Sequence, residues 1–285
     1  MIKDQKLPTK AVVVTGASTG IGQSCALYLD RLGFTVFAGV RQQADADAIQ
    51  QIGSERLIPL FIDVTKADTI TAAVQIVKAT VGDVGLVGLV NNAGIAIGGP
   101  LEFIPVAKLR TQLEINVIGQ IAVTQTFLPL LRQGQGRVIN MSSISGRVAM
   151  PFFGPYAASK FALEALTDSL RVELRPWGIE VISIQPGAIV TPIWEKSVAR
   201  AEQILNDFPD EADNLYGPRL AALRQTVLKT GQNGIPAVEV AKVVARALTT
   251  KRPKTRYLVG RDAKMGTILI KLLPDRWRDW LILTR

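Results

Sequence analysis

Ala11-Val-Val-Val-Thr15-Gly16-Ala17-Ser18-Thr19-Gly20-Ile21-Gly22 is an apolar run that closes in a glycine-rich turn, and Gly22–Leu32 continues it with helical periodicity. A glycine motif between a strand and a helix is a candidate cradle for a pyrophosphate. Glycine permits the tight turn, and backbone N–H groups at the helix N-terminus then point at the anion. Gly16, Ser18, Thr19, Gly20, Ile21 and Gly22 are therefore candidate dinucleotide-binding residues.

The same alternation repeats along the chain. Ala11–Thr15, Thr35–Val40, Leu57–Ile62, Val87–Asn91, Gly136–Met141, Glu180–Gln185 and Arg256–Val259 are seven short apolar runs. Most show little period-two patterning, as parallel strands covered on both faces require. Lys66–Thr80, Lys108–Leu131, Pro155–Arg175 and Ala237–Thr250 fit helices between them. Repeated βα units predict an α/β fold with a doubly wound, seven-stranded parallel sheet and right-handed crossovers. No linker divides residues 1–285, which read as one domain. Residues 192–234 form a partly helical insertion of mixed charge before the last strand, with Asp207–Asp213 as a solvated turn, and residues 261–285 extend beyond that strand.

Composition narrows the chemistry. The 285 residues are 48% hydrophobic and 20% charged, enough apolar material for one large core. The complete absence of histidine excludes a Ser-His-Asp hydrolase and any His-ligated metal, and no metal site is expected. Proton transfer near neutral pH then falls to a perturbed Tyr, Lys or carboxylate. The single cysteine, Cys25, allows no intramolecular disulfide, fits a reducing cytosol and reads as a buried structural thiol. Residues 251–285 hold ten Lys or Arg against three Asp and so carry most of the +9 net charge. No basic face with interleaved aromatics is visible, so no nucleic-acid partner is expected. Met1–Lys10 is polar, no signal peptide is expected, and no apolar run reaches the roughly 18 residues of a spanning helix. A cytoplasmic location follows as an expectation, with membrane association left open.

Tyr156-Ala-Ala-Ser-Lys160 lies thirteen positions after Ser143. Tyr-x-x-x-Lys alone is weak, but here it follows Thr15–Gly22 and Asn91-Asn-Ala-Gly94 in order. With those three pieces the chain resembles the short-chain dehydrogenase/reductase family, densely over residues 10–195 and loosely beyond. Gly33-Phe-Thr-Val-Phe-Ala-Gly39 and Gly88-Leu-Val-Asn-Asn-Ala-Gly-Ile95 look closest to its retinol, hydroxysteroid and hydroxybutyrate dehydrogenase branch. The resemblance implies a Rossmann-type fold and an oxidoreductase that moves a hydride between a nicotinamide and a carbonyl or alcohol.

By that resemblance Tyr156 is the acid/base. A phenol titrates near 10, and an ammonium one helical turn on, at Lys160, favours its phenolate. Lys160 is also implied to hold the nicotinamide ribose, and Ser143 to donate to the substrate oxygen. Ser142 is chemically equivalent; the thirteen-residue spacing selects Ser143. Asn116, forty residues before Tyr156, matches the family's asparagine, which supports a water-mediated relay through the lysine; a structural polar residue is the alternative.

The resemblance also assigns the cofactor contacts. Asn91, Ala93 and Gly94 line the adenosine side and steady the sheet, while Asp63 and Val64 meet the adenine. Capping the next helix is an equally simple role for Asp63. Pro186, Gly187 and Thr191 face the nicotinamide, although Thr191 before Pro192 also suits a turn. An acid at the end of the second strand would accept from a ribose 2′-hydroxyl, whereas arginine attracts a 2′-phosphate. Val40 occupies the acid position and Arg41 follows, which favours NADP(H) and leaves NAD(H) open. Many NADP-dependent relatives add a base inside the glycine loop, where this chain has Thr19, and Arg41 alone could be a solvated strand-end cation.

Val148, Met150, Phe152, Phe153, Ile193 and Trp194 are candidate walls for a hydrophobic substrate of retinoid, steroid or acyl type, unless they are core. Ile268, Leu269, Ile270, Leu272, Leu273, Trp277, Trp280, Leu281 and Leu283, mixed with Lys271, Arg276, Arg278 and Arg285, suit a lipid headgroup boundary. Pro274 interrupts any single helix there, and packing against the domain, a partner subunit or the active-site mouth is the plainer reading of residues 264–285. A homodimer or homotetramer is implied through the helices containing Asn116 and Tyr156. Two other classes stand beside the enzyme: a nucleotide-sensing module that docks through the basic tail, and an isomerase or epimerase. The intact catalytic set argues against the first, and Arg41 with the short substrate region against the second.

Overall fold

A computed structural model describes residues 10–283. The stretch from Met1 to residue 9, Arg285, and the side chains of residues 269–272 and 283, hence of Leu269, Ile270, Lys271, Leu272 and Leu283, lie outside that description.

Strands β1 (Ala11–Val14), β2 (Thr35–Val40), β3 (Leu57–Phe61), β4 (Gly88–Asn91), β5 (Arg137–Met141) and β6 (Glu180–Pro186) lie in one sheet. Two short strands, β7 (Ile189–Val190) and β8 (Ile235–Pro236), pair separately, and β9 (Arg256–Val259) closes the main sheet. All seven main strands are parallel, in the order β3-β2-β1-β4-β5-β6-β9. The order reverses between β1 and β4, and a crevice opens at the carboxyl ends of strands at such a switch point.

The runs lack alternation because both faces are covered. In β1 all four residues are buried, with Val12 and Val14 in one core and Ala11 and Val13 in the other. The first core is covered by α1 (Gly20–Arg31) and α9 (Ala237–Thr249), the second by α3 (Ala67–Val81) and α5 (Gly119–Gln133). Cys25 is fully buried in the first, and burial pushes its thiol up to about 12, so it is inert packing. Helix α2 (Gln43–Ile52), not singled out from the sequence, covers the β3 edge, and α6 (Gly154–Glu173) packs beside β6.

Two segments differ from expectation, the helix over Lys108–Leu131 and the turn over Asp207–Asp213. The helix expected over Lys108–Leu131 is α4 (Val106–Leu113), a π turn at Glu114–Ile118 and then α5. At its joint, a Cβ on Gly119 would stand 2.6 Å from the Val64 carbonyl oxygen, so the backbones touch there. The insertion is two helices, α7 (Ile193–Leu205) and α8 (Asp210–Gln232). The solvated turn expected over Asp207–Asp213 ends at Pro209, because Asp210, Glu211 and Asp213 sit in the first turn of α8, where the helix dipole favours anions. Beyond β9, α10 (Arg261–Leu272) and α11 (Asp275–Leu283) are broken at Pro274 as expected. Ala263 is buried and Gly266 approaches Ile144, whereas Met265, Ile268 and Trp277 are exposed. Among the described residues no helix is long and apolar enough to cross a membrane.

Candidate active site

The glycine loop leaves β1 and is clamped from β4. Gly16 takes φ of 63°, and a Cβ there would come within 2.8 Å of Ala93 Cα. One on Gly22 would collide with the carbonyl oxygen of Gly16. Thr15 Oγ1 accepts from the backbone N–H of Asn92 at 2.9 Å and Ala93 at 3.0 Å, and Asn92 Nδ2 donates to the Thr15 and Gly16 carbonyls. Thr19, the N-cap of α1, gives no side-chain bond to that helix. The first N–H groups of α1 therefore lack a side-chain cap beside the open cleft, the donor set a pyrophosphate requires. These residues fit a dinucleotide on the geometry of the loop itself.

A cavity of about 430 Å³ gathers the expected cofactor residues Gly16, Ser18, Thr19, Gly20, Ile21, Arg41, Asp63, Val64, Ala93, Gly94, Pro186, Gly187 and Thr191 with Ser143, Tyr156 and Lys160. Gly22 packs against Gly16 and Asn92 and does not line the cavity. The Asn91 side chain takes the sheet-steadying half of its expected role and does not line the cavity. It is buried in the sheet core, where Nδ2 donates to Thr124 Oγ1 at 2.7 Å and Asn140 Oδ1 at 2.9 Å, and its neighbour Asn92 lines the cleft instead. Successive strand residues face opposite ways, so the doublet Asn91-Asn92 divides its labour. Asp63 both lines the cleft and caps locally, accepting from Thr65 N at 3.0 Å and Thr65 Oγ1 at 2.8 Å. Burial opposes its charge, but those bonds and the cations Arg41 and Lys66 hold its carboxyl below the usual range.

The catalytic candidates converge from two elements. Ser143 follows β5 and begins a short 3-10 turn, its Oγ accepting from Ser145 N at 3.1 Å. Tyr156 and Lys160 lie one turn apart near the start of α6, with Lys160 Nζ 5.7 Å from the phenol ring centre. Lys160 is 4% exposed and donates to the Met141 carbonyl at 2.8 Å. Burial brings its ammonium from 10.5 down to about 8, and Glu164 pulls the other way. Burial pushes the Tyr156 phenol above 10, with the hydrogen bond to Ser143 opposing it.

Asn116 does not reach the cleft. It sits in the π turn, fully buried; Oδ1 accepts from Ile95 N at 2.9 Å, while Nδ2 donates to Ile95 O at 2.9 Å and Ser159 Oγ at 3.1 Å. Both amide hydrogens are spent on fixing the loop after β4 against α6. A π turn inside a helix often marks a functional site.

Beside the cleft lies a second cavity of about 480 Å³ between α7, α8 and Phe152–Phe153. It shares Phe153 and Ser197 with the cleft. Of the expected substrate walls, Met150, Phe153, Ile193 and Trp194 line the cleft, Phe152 lines the second cavity, and Val148 lines neither. Phe152 takes φ of 66°, rare for an aromatic residue, and packs edge-on against Tyr216 of α8. Tyr216 also meets Phe103 and donates to Glu102 at 2.8 Å, so α8 is fastened over the chamber.

Four neighbours of the site escaped the sequence reading. Glu164 lies at i+4 from Lys160, a spacing that could have found it. Asp262 of α10 accepts from Ala188 N at 2.6 Å beside Gly187, and Lys196 and Arg200 of α7 line the cleft near Thr19 and Arg41. Only the fold brings those three there.

The profile of the short chain dehydrogenase family matches residues 10–202. The chain belongs to that family. It is 39% identical to 17-beta-hydroxysteroid dehydrogenase type 6 of Bos taurus over 98% of this chain and 89% of that one. It is 38% identical to the NADPH-dependent 3-dehydrocapnine reductase of Ornithobacterium rhinotracheale over 94% of each. A short chain dehydrogenase from Burkholderia cenocepacia J2315, solved in complex with NADP, superposes with a TM-score of 0.72 at 26% identity, covering 95% of this chain and 96% of that one. This short-chain dehydrogenase lies in the retinol and hydroxysteroid dehydrogenase branch and is an oxidoreductase acting on CH–OH groups with a nicotinamide dinucleotide.

Proposed function

We propose that this short-chain dehydrogenase reduces a hydrophobic ketone or aldehyde, or oxidises the matching alcohol, with NADP(H), and that Tyr156 is its acid/base. The observation that carries the reading is the meeting of Ser143, Tyr156 and Lys160 on one wall of the cleft, beside a chamber lined by Phe152, Phe153, Val198, Leu205 and Leu220. Arg41 at the end of β2, with no acid at Val40, supports the phosphorylated cofactor. The names of the bovine and Ornithobacterium relatives point the same way on substrate character and cofactor.

When bound, the nicotinamide supplies or removes the hydride. Tyr156, protonated at neutral pH because its phenol lies above 10, gives its proton to the substrate oxygen in reduction. Ser143 donates a hydrogen bond to that oxygen and orients it. Lys160, cationic below about 8, stabilises the phenolate left behind. Asn116 is a positioning residue that holds the Ile95 backbone against α6 through Ser159.

The test is NADPH and NADH oxidation with retinoid, steroid and acyl carbonyls. Turnover with NADPH at a kcat/KM at least about tenfold above that with NADH is expected from one charge-assisted contact. Faster turnover with NADH overturns the cofactor choice, and tight cofactor binding without turnover of any carbonyl overturns the reaction.

Self-association through α5 and α6 belongs to the same proposal, supported by the exposure of Ile118, Phe161 and Val172 on and beside those helices. Phe161→Asp should convert the wild-type dimer or tetramer to smaller species in light scattering. A monomeric wild type would refute this part.

A further inference from the structure

We propose that Lys196 and Arg200, both on the α7 helix, complete with Arg41 a three-cation site for the ribose 2′-phosphate of NADP(H), so that the cofactor itself fastens the helix that roofs the substrate chamber. The inference rests on the NADP(H) reading above and goes beyond it, since it places two of the phosphate's three cations in the insertion.

The glycine loop has no base where Thr19 stands. The fold supplies one from elsewhere: Lys196 Nζ lies 3.5 Å from Thr19 Oγ1, across 177 residues of sequence. Arg200 is one helical turn further along α7, so it projects from the same face as Lys196. Arg41, Thr19, Lys196 and Arg200 all line the one cleft.

The three cations stand close enough to repel one another. Like charges at i and i+4 repel, and Arg200, partly buried, is pulled down by burial and by the Arg41 guanidinium facing it. Among the described residues none of these three cations forms a salt bridge. Asp63, the nearby acid, faces Arg41, and its Oδ1 accepts from Thr65. A pyrophosphate would be held by the N–H groups of α1. A second, separate anion at the end of β2 matches a ribose 2′-phosphate, whose two negative charges suit a cluster of guanidinium and ammonium donors.

The mechanical consequence follows from the other face of α7. Ser197, Val198 and Ala201, interleaved with the two cations, line the substrate chamber. A phosphate that draws Lys196 and Arg200 down therefore also sets the chamber wall. A cofactor without the phosphate leaves α7 held by its ties within the protein, Glu202 to Arg224 and Trp194 Nε1 to the Ile189 carbonyl, each at 2.7 Å.

The experiment is calorimetric titration with adenosine 2′,5′-bisphosphate and with adenosine 5′-monophosphate, on wild type, Arg41→Ala and the double variant Lys196→Ala/Arg200→Ala. Wild type is expected to prefer the bisphosphate. The double variant should lose at least about tenfold in bisphosphate affinity and keep its monophosphate affinity, which also reports an intact loop. If Arg41→Ala loses the preference while the double variant keeps it, this proposal falls and the NADP(H) reading stands. Equal weakening of both ligands by the double variant also overturns it. If wild type binds the two ligands alike, both readings fall together.

Discussion

Tyr156→Phe is expected to lower kcat by about 10³-fold while leaving cofactor affinity close to wild type, as general acid–base catalysis contributes about 10²–10⁴-fold. The phenyl ring remains in the cleft wall, so packing against the dinucleotide survives and only the proton is removed. Neither neighbour replaces it. Ser143 is an alcohol with no base beside it, and the Lys160 ammonium is turned toward the Met141 carbonyl. Steady-state kinetics with NADPH and the best carbonyl of the panel, beside a fluorescence titration of NADPH, separates the two quantities. Retention of more than a tenth of the wild-type kcat would place the proton donor elsewhere. Loss of cofactor affinity with unchanged kcat would make Tyr156 a binding residue only.

The reaction geometry was legible because it is carried by short-range spacing on regular elements. Tyr156 and Lys160 sit one turn apart on a helix whatever else the chain does, and the glycine loop is local to β1 and α1. The seven strands were visible for a related reason. Burial on both faces makes strands such as β1 and β2 continuous apolar runs that no amphipathic helix would mimic. What escaped depends on long-range placement. The division between Asn91 and Asn92 turns on which face of β4 the last residue presents, and the motif reads the same either way. The first turn of α8 looked like a solvated loop because acids favour both; the dipole at a helix start decides for helix. Lys196 and Arg200 reach the cofactor cleft only because α7 folds back across Thr19. Nothing in their local sequence distinguishes them from the other basic residues of an exposed helix.

Glu164→Gln is the second large effect, and it separates a scaffold role from an electrostatic one. Glu164 lies one turn beyond Lys160 on α6 and is 5% exposed. The Ser183 hydroxyl of β6 donates to one of its oxygens, and Arg256 Nε of β9 donates to the other at 3.0 Å. Arg147, after β5, stands 3.6 Å away, and Arg256 continues to Asp168. This one carboxylate thus ties the catalytic helix to two strands and a loop. Burial alone would raise its pKa, but the hydrogen bonds, those from Ser183 and Arg256 among them, outweigh it and hold the group ionised. Glutamine keeps the shape and presents an amide where two donors need acceptors. A loss of roughly 3 kcal/mol in urea denaturation is expected, the low end for a broken buried pair because Arg256 is 25% exposed and keeps Asp168. The wild-type advantage should be complete above the ordinary carboxyl value of 4.5 and vanish as pH falls through the lowered folded value. Activity should respond as well. Glu164 supports the charge on Lys160, which would otherwise titrate below about 8, so its removal moves the alkaline limb of kcat/KM to lower pH. A purely structural carboxylate would lower stability and leave that limb in place. A shifted limb with unchanged stability would make the charge, and not the ties to β6 and β9, the reason it is there.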